Sequence, residues 1–256
     1  MAVMIKDQEA FEKMRRAGKI VAEVLQEMQR LIKPGISTAD LDKAAEEIIR
    51  SHGALPSFKG YYGYPASICA SIDEMVIHGI PNKDTILREG QIISIDVGAK
   101  KDGYHGDAAR TFPVGRISEE DRKLIKAAKD SFYEGYSRIR PGIHLYKISA
   151  GIQKTAEKAG FSVVRDYVGH GIGREMHEDP QVPNYRPRVL SRGLRLEEGM
   201  AIAVEPMITA GSWKVEVLPD GWGVITRDGS KAAHYENTIL ITKDGGEITT
   251  TLPGLE

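Results

Sequence analysis

The chain has 256 residues, with 35 Lys and Arg against 36 Asp and Glu, so no global field draws it to nucleic acid or to an anionic membrane. Hydrophobic residues make up 41% and charged residues 28%, an ordinary soluble composition, and no apolar run nears the roughly 18 residues of a membrane span. The single cysteine, Cys69, cannot form an internal disulfide, and MAVMIKDQEAFEKMRR lacks the apolar core of a signal peptide, which together predict a cytoplasmic protein.

In chain order, Phe11, Met14, Gly18, Val21, Leu25, Met28 and Ile32 recur every three or four residues, which predicts a long helix with one buried stripe. IKPGI at 32–36 ends it, and a second helix follows that should stop at Gly53 in a left-handed cap. IISID at 92–96 then reads as a buried strand, and K-K-D-G followed by a second extended run reads as a hairpin. If the turn spans 100–103, Asp96 faces Asp107; if Asp102 and Gly103 alone form it, the two acids sit diagonally on one face. Two carboxylates about 5 Å apart repel by about 3 kcal/mol at an effective dielectric near 20. Such a pair needs a shared proton or a cation.

The second half repeats the first. Ser118-x-x-Asp121 opens a helix whose stripe is Leu124, Ile125, Ala128, Phe132 and Ile139. IRPGI at 139–143 stands 107 residues after IKPGI, and the next helix should stop at Gly160, 107 after Gly53. LEEGMAIAVE (196–205) matches LREGQIISID (87–96) and places Glu205 on Asp96, so both acids are expected at matched strand ends. An internal duplication predicts an α+β fold of two pseudo-symmetric halves, about 1–115 and 116–256, with helices packed on antiparallel sheet. Only GRISEED lies between the halves, so a single domain is expected.

Asp107 in GDAART and Glu236 in AHYENTILIT add a second acid to each half, and four converging carboxylates cannot all ionise without cations. His170 in VGHGIG, His177 in REMHEDP and His78 in VIHGIP are the candidate imidazoles. Oxygen ligands with one or a few imidazoles suit a pair of divalent ions such as Mn, Fe, Co, Ni or Zn; calcium rarely recruits imidazole, and a structural zinc site would use thiolates.

Asp96, Asp107, His170, Glu205 and Glu236, in this order and spacing, resemble the ligand set of the type I methionine aminopeptidases of the pita-bread fold. The resemblance spans almost the whole chain and rests on YPASICASIDEMVIHGIP, IDVGAKKDGYHGDAARTF, GHGIGREMHEDP, VEPM and YENTILIT. It implies that these five residues hold two divalent ions, that Glu205 is also a proton shuttle, and that His78 and His177 contact substrate instead of metal. His177 would then donate to the developing oxyanion, and His78 would hold the peptide at the new amine. Tyr61, Tyr64, Cys69 and Trp222 match the methionine pocket, whereas Phe58 and Met176 stand where many relatives carry cysteine and phenylalanine. The implied reaction is removal of the initiator methionine from nascent chains whose second residue is small, by a cytoplasmic monomer. NYRPRVLSRGLR (184–195), with four arginines, is read as a solvated loop, with a transient ribosome contact as its functional reading.

Three alternatives compete with this reading. An X-Pro aminopeptidase or prolidase of this fold normally carries a large N-terminal domain, whereas the first helix here begins within about ten residues. A non-catalytic peptide-binding protein on the scaffold would lose ligands, and all five are present. A metal-dependent phosphatase would lack an apolar pocket for a first residue.

Overall fold

The computed structural model describes residues 3–255. Among the described residues four α-helices carry the two halves: α1 (Gln8–Leu31) and α2 (Thr38–Ser51), then α3 (Glu119–Tyr136) and α4 (Leu145–Lys158). Capping residues set three of the four starts. Asp7 accepts from the Ala10 amide, Ser37 and Asp40 form a reciprocal capping box, and Ser118 accepts from the Asp121 amide. The apolar stripe of α1 is buried along its whole length. In α3 the helix ends at Tyr136, three residues short of Ile139. The Arg138 amide turns back onto the Gly135 carbonyl, and Ile139 enters the core from the loop.

The duplication is visible in backbone hydrogen bonds. Gly35 and Gly142 donate to the carbonyls of Leu87 and Leu196 at 2.8 and 2.7 Å, and Leu87 and Leu196 donate back to Ile36 and Ile143 at 2.9 and 2.8 Å. Gly53 and Gly160 follow the second helix of each half at φ +61° and +90°, as left-handed caps require.

Among the described residues all strand pairings are antiparallel, and the strands fall into four hydrogen-bonded groups instead of one continuous sheet. In the first half the strand Ile92–Lys101 lies between Ile68–Ile72 and Tyr104–Pro113. In the second, Ala201–Val204 lies between Asn237–Thr242 and Gly169–Gly171. Period-two alternation separates two faces. Ile93, Ile95, Val97 and Ala99 pack under α1 and α2, and Ile202, Val204, Ile239 and Ile241 pack under α3 and α4. The alternate residues face the middle of the molecule. There the halves are tied together: Glu236 N–H donates to the Ala109 carbonyl at 2.9 Å, and the Asp107 amide donates to Thr238 Oγ1 at 2.9 Å. Among the described residues no helix is long and apolar enough to cross a membrane.

Candidate metal centre and substrate cavity

The hairpin makes a two-residue turn. Asp102 and Gly103 both have positive φ (+51° and +82°), and Lys101 pairs with Tyr104. This is the backbone that Asp-Gly favours between twisted strands. Asp96 is therefore opposite Ala109 and Asp107 is opposite Gly98, so the two acids are diagonal neighbours on one face. The expectation that Asp96 closes its strand is corrected: it is the fifth residue of a ten-residue strand that continues through VGAKK. Glu205, in contrast, sits one residue beyond Ala201–Val204 and is followed by Pro206, which has no amide hydrogen to extend the ladder.

His170 is placed by close backbone approach. A Cβ on Gly169 would lie 2.3 Å from the Ala203 carbonyl oxygen, and one on Gly171 would lie 2.1 Å from that of Asp179. Only glycine fits at either flank, so the chain threads between two neighbouring strands with the imidazole facing inward. His170 Nδ1 lies 2.7 Å from the Gly171 carbonyl oxygen, which can only accept, so Nδ1 carries the proton. The free lone pair of Nε2 then lies 3.7 Å from Asp107 Oδ2 and 3.6 Å from Glu205 Oε1.

The four carboxylates crowd together with oxygens left over. Asp96 Oδ1, Asp107 Oδ1 and Glu236 Oε1 are buried without a hydrogen-bond partner among the described residues. Arg110, buried beside them, turns its two terminal guanidinium nitrogens to the carbonyls of Ala109 and Glu236 and to Asn237 Oδ1, leaves Nε without a partner among the described residues, and offsets only part of the charge at Glu236. Burial raises the carboxyls of Asp96, Asp107, Glu205 and Glu236 above their usual range, and mutual repulsion adds to this at Asp107, Glu205 and Glu236. Among the described residues two groups with ligand atoms within 4.8 Å of one another result: Asp107, His170 and Glu236, and Asp96, His234 and Glu236. The orphaned oxygens and the oxygen-plus-imidazole donor set fit divalent cations.

His234 was not singled out in the sequence. It is 1% exposed, and burial pushes its imidazole down to about 3. Its signal was its position two residues before Glu236 in an extended run, which puts both side chains on one face.

All thirteen sequence-derived site residues line one cavity of about 270 Å³. Its floor is the carboxylate cluster with His170; its walls are Phe58, Tyr61, Tyr64, Cys69, His78, Met176, His177 and Trp222, with Tyr62 at the mouth. Tyr64, Cys69 and Met176 are buried, and Tyr64 meets the Trp222 ring edge-on at 5.1 Å. His78 is held at φ +61°, a left-handed conformation uncommon outside glycine, and its ring packs edge-on to Tyr167 and Trp222. His177 is exposed at the rim, with Nδ1 2.9 Å from the Tyr61 hydroxyl and its ring 4.2 Å from that of His170. A larger cleft of about 710 Å³, between α3 and the end of Tyr104–Pro113, is lined by Pro113, Ile117, Ile125 and lysines and has no acid cluster. In the 184–195 segment Arg186 stacks on Tyr146 and donates to the carbonyls of Pro187 and Ser191, so one of its four arginines is engaged within the chain.

The model of metallopeptidase family M24 matches residues 12–243. The chain is 55% identical over 249 residues to the methionine aminopeptidase of Clostridium acetobutylicum, covering 97% of this chain and 98% of that protein. It is 52% identical over 237 residues to methionine aminopeptidase 1 of Bacillus subtilis, covering 93% and 94%. The crystal structure of a methionine aminopeptidase from Thermotoga maritima superposes with a TM-score of 0.95 at 45% identity, covering 98% of this chain and 100% of that one. A prolidase from Pyrococcus horikoshii superposes at 0.79 with 23% identity, covering 98% of this chain and 65% of that one, a likeness of fold alone. The fold is thus the duplicated α+β pita-bread architecture, and a family match that runs from α1 to the last long strand places this chain in metallopeptidase family M24.

Proposed function

We propose that this metallopeptidase removes the N-terminal methionine from peptides and nascent chains whose second residue is small. One observation carries the reading: a single cavity of about 270 Å³ joins a floor of four carboxylates and an imidazole to a slot walled by aromatic rings and sulfur. Pockets for drug-sized ligands run from about 300 Å³ upward, so this one suits a single side chain. Ring faces and sulfur suit a thioether guest. The relatives named methionine aminopeptidase support the same substrate class.

Asp96, Asp107, His170, Glu205 and Glu236 would hold two divalent ions drawn from Co, Mn, Fe, Zn or Ni. When bound, such ions acidify a water and polarise the scissile carbonyl. The chain's own groups do the rest. Glu205, its carboxyl raised by burial and by Asp107 and Asp96, takes the proton of the attacking water and delivers it to the departing amine. The Tyr61 phenol, pushed up to about 12 mainly by burial, stays protonated and donates to His177 Nδ1. That fixes the tautomer with hydrogen on Nε2, which donates to the oxyanion as it forms. Burial pushes His78 down to about 4, so it is neutral and can hold the peptide on the new-amine side.

The ligands come from both halves, so the whole chain, residues 1–256, is one catalytic unit in this reading. It acts as a cytoplasmic monomer, and a transient ribosome contact through 184–195 falls to the arginines other than Arg186. The test is hydrolysis of Met-Ala-Ser beside Ala-Pro and a phosphate ester, before and after chelation and after metal is restored. Metal-dependent release of methionine from the first substrate alone is expected. Cleavage of Ala-Pro in preference would replace this reading with an X-Pro peptidase.

A further inference from the structure

His234 is enclosed at the centre of the molecule, yet neither of its ring nitrogens has a hydrogen-bond partner among the described residues. A buried polar group in that condition costs about 1 to 3 kcal/mol unless something else engages it. Its backbone is fixed: the His234 amide donates to Thr111 Oγ1 at 2.8 Å, and that hydroxyl donates back to the His234 carbonyl at 3.0 Å. The main chain that carries the ring is therefore held at the seam between the two halves.

The direction of the ring supplies the rest. Nε2 lies 3.9 Å from Glu205 Oε2 and 3.9 Å from Glu236 Oε2. That is beyond hydrogen-bond reach. It is within the separation of two ligands on one ion, because bonds of about 2.1 Å allow up to roughly 4.2 Å between ligand atoms. His170 shows the same spacing, 3.7 and 3.6 Å, to Asp107 and Glu205. The two three-residue groups share Glu236 and otherwise contribute one aspartate and one histidine each: Asp107 with His170, and Asp96 with His234.

We propose that His234 is a sixth metal-holding side chain, binding through its imidazole the ion that Asp96 and Glu236 hold, so that each ion of the pair receives one nitrogen. This rests on the metallopeptidase reading of the site and extends its ligand set. A nitrogen in both groups biases the pair toward imidazole-favouring cations such as cobalt, nickel and zinc, and away from magnesium and manganese.

The experiment uses the intact chain loaded with two equivalents of cobalt(II). Metal content is first read by plasma mass spectrometry. Solvent-exchangeable, hyperfine-shifted imidazole N–H resonances are then counted by proton NMR in water, assigned by histidine-selective 15N labelling. Two such histidines are expected in the unaltered protein, and one in a His234→Gln variant whose circular dichroism matches. In that variant calorimetry should show one of the two cobalt sites weakened by about 10-fold or more, the scale on which changes around a metal site act, with manganese affinity changed much less. A single shifted histidine in the unaltered, fully loaded protein overturns the proposal while the metal centre itself stands. Failure to retain any metal overturns both. The count in the unaltered protein decides the matter even if the variant does not fold.

Discussion

Cys69 and Asp96 are direct partners across the antiparallel ladder between Ile68–Ile72 and Ile92–Lys101. Opposed residues share a face, so the thiol belonging to the apolar slot sits beside the first carboxylate of the metal cluster. In the proposed reading, the distance from substrate side chain to scissile bond is thus built into one strand pair. Cys69→Ala should lower kcat/KM for methionine substrates by about 10-fold, mainly through KM, as the loss of one group's packing in an apolar pocket does. Metal content should stay at the unaltered level. A drop in bound metal would mean that Cys69 supports the cluster instead of the slot.

The pair formed by His177 and Tyr61 yields a graded prediction. His177→Ala removes the proposed donor to the oxyanion, and kcat should fall about 10²- to 10³-fold with bound metal unchanged. Tyr61→Phe removes only the hydroxyl 2.9 Å from His177 Nδ1, so its loss in kcat should be smaller. Equal losses in the two variants would contradict the proposed tautomer, and metal loss on His177→Ala would move that histidine into the ligand set.

Much of this arrangement could be read in the chain before its structure, for reasons that differ by element. The stripe from Phe11 to Ile32 was legible because helical periodicity and a Pro-Gly stop agree. The hairpin was legible only to two alternatives, and the tolerance of Asp102 for positive φ decided between them. Ile139 continues the pattern of α3, but the chain has already turned at Ser137, so a residue can keep its core position after its helix has ended. Asp96 was misplaced at a strand end because VGAKK is less apolar than IISI, although pairing with Tyr104–Pro113 carries the strand through it. His234 was overlooked because its surroundings come from both halves at once: Asp96 from one, Glu205 and Glu236 from the other. The local spacing to Glu236 shows only one of these neighbours; Asp96 and Glu205 come from distant parts of the chain.

Chelation should lower thermal stability markedly. Without cations, four buried carboxyls lie against one another with unsatisfied oxygens, and a ligand that binds only the folded chain stabilises it by mass action. At a free metal concentration about 100 times Kd this is about 2.7 kcal/mol, or roughly 5–10 °C for a chain of this size. Calorimetric melts with cobalt(II), and after exhaustive chelation, measure the difference. Coincident melts would argue that the cluster is held together by shared protons alone.

The last prediction concerns acid stability at His78. Burial, and then the neighbouring His177, push this imidazole from an ordinary 6.5 down to about 4; Tyr167 and Trp222 enclose it, and a hydrogen bond to the Trp222 backbone offsets only part of the shift. Protonation is therefore easier in the unfolded chain than in the folded one. The stability held by the neutral ring is complete above about pH 6.5 and is lost as pH falls toward 4. A shift of this size corresponds to at most about 3 kcal/mol, less for the part of the ring that water reaches. Other groups titrate in the same window, so the informative quantity is the difference between the protein and its His78→Gln variant. Melting temperatures at pH 7.5, 5.5 and 4 should converge as pH falls, because the variant has no imidazole to protonate. Parallel curves would show that His78 is solvated enough to titrate normally, and its neutral role beside the peptide would lose its physical basis.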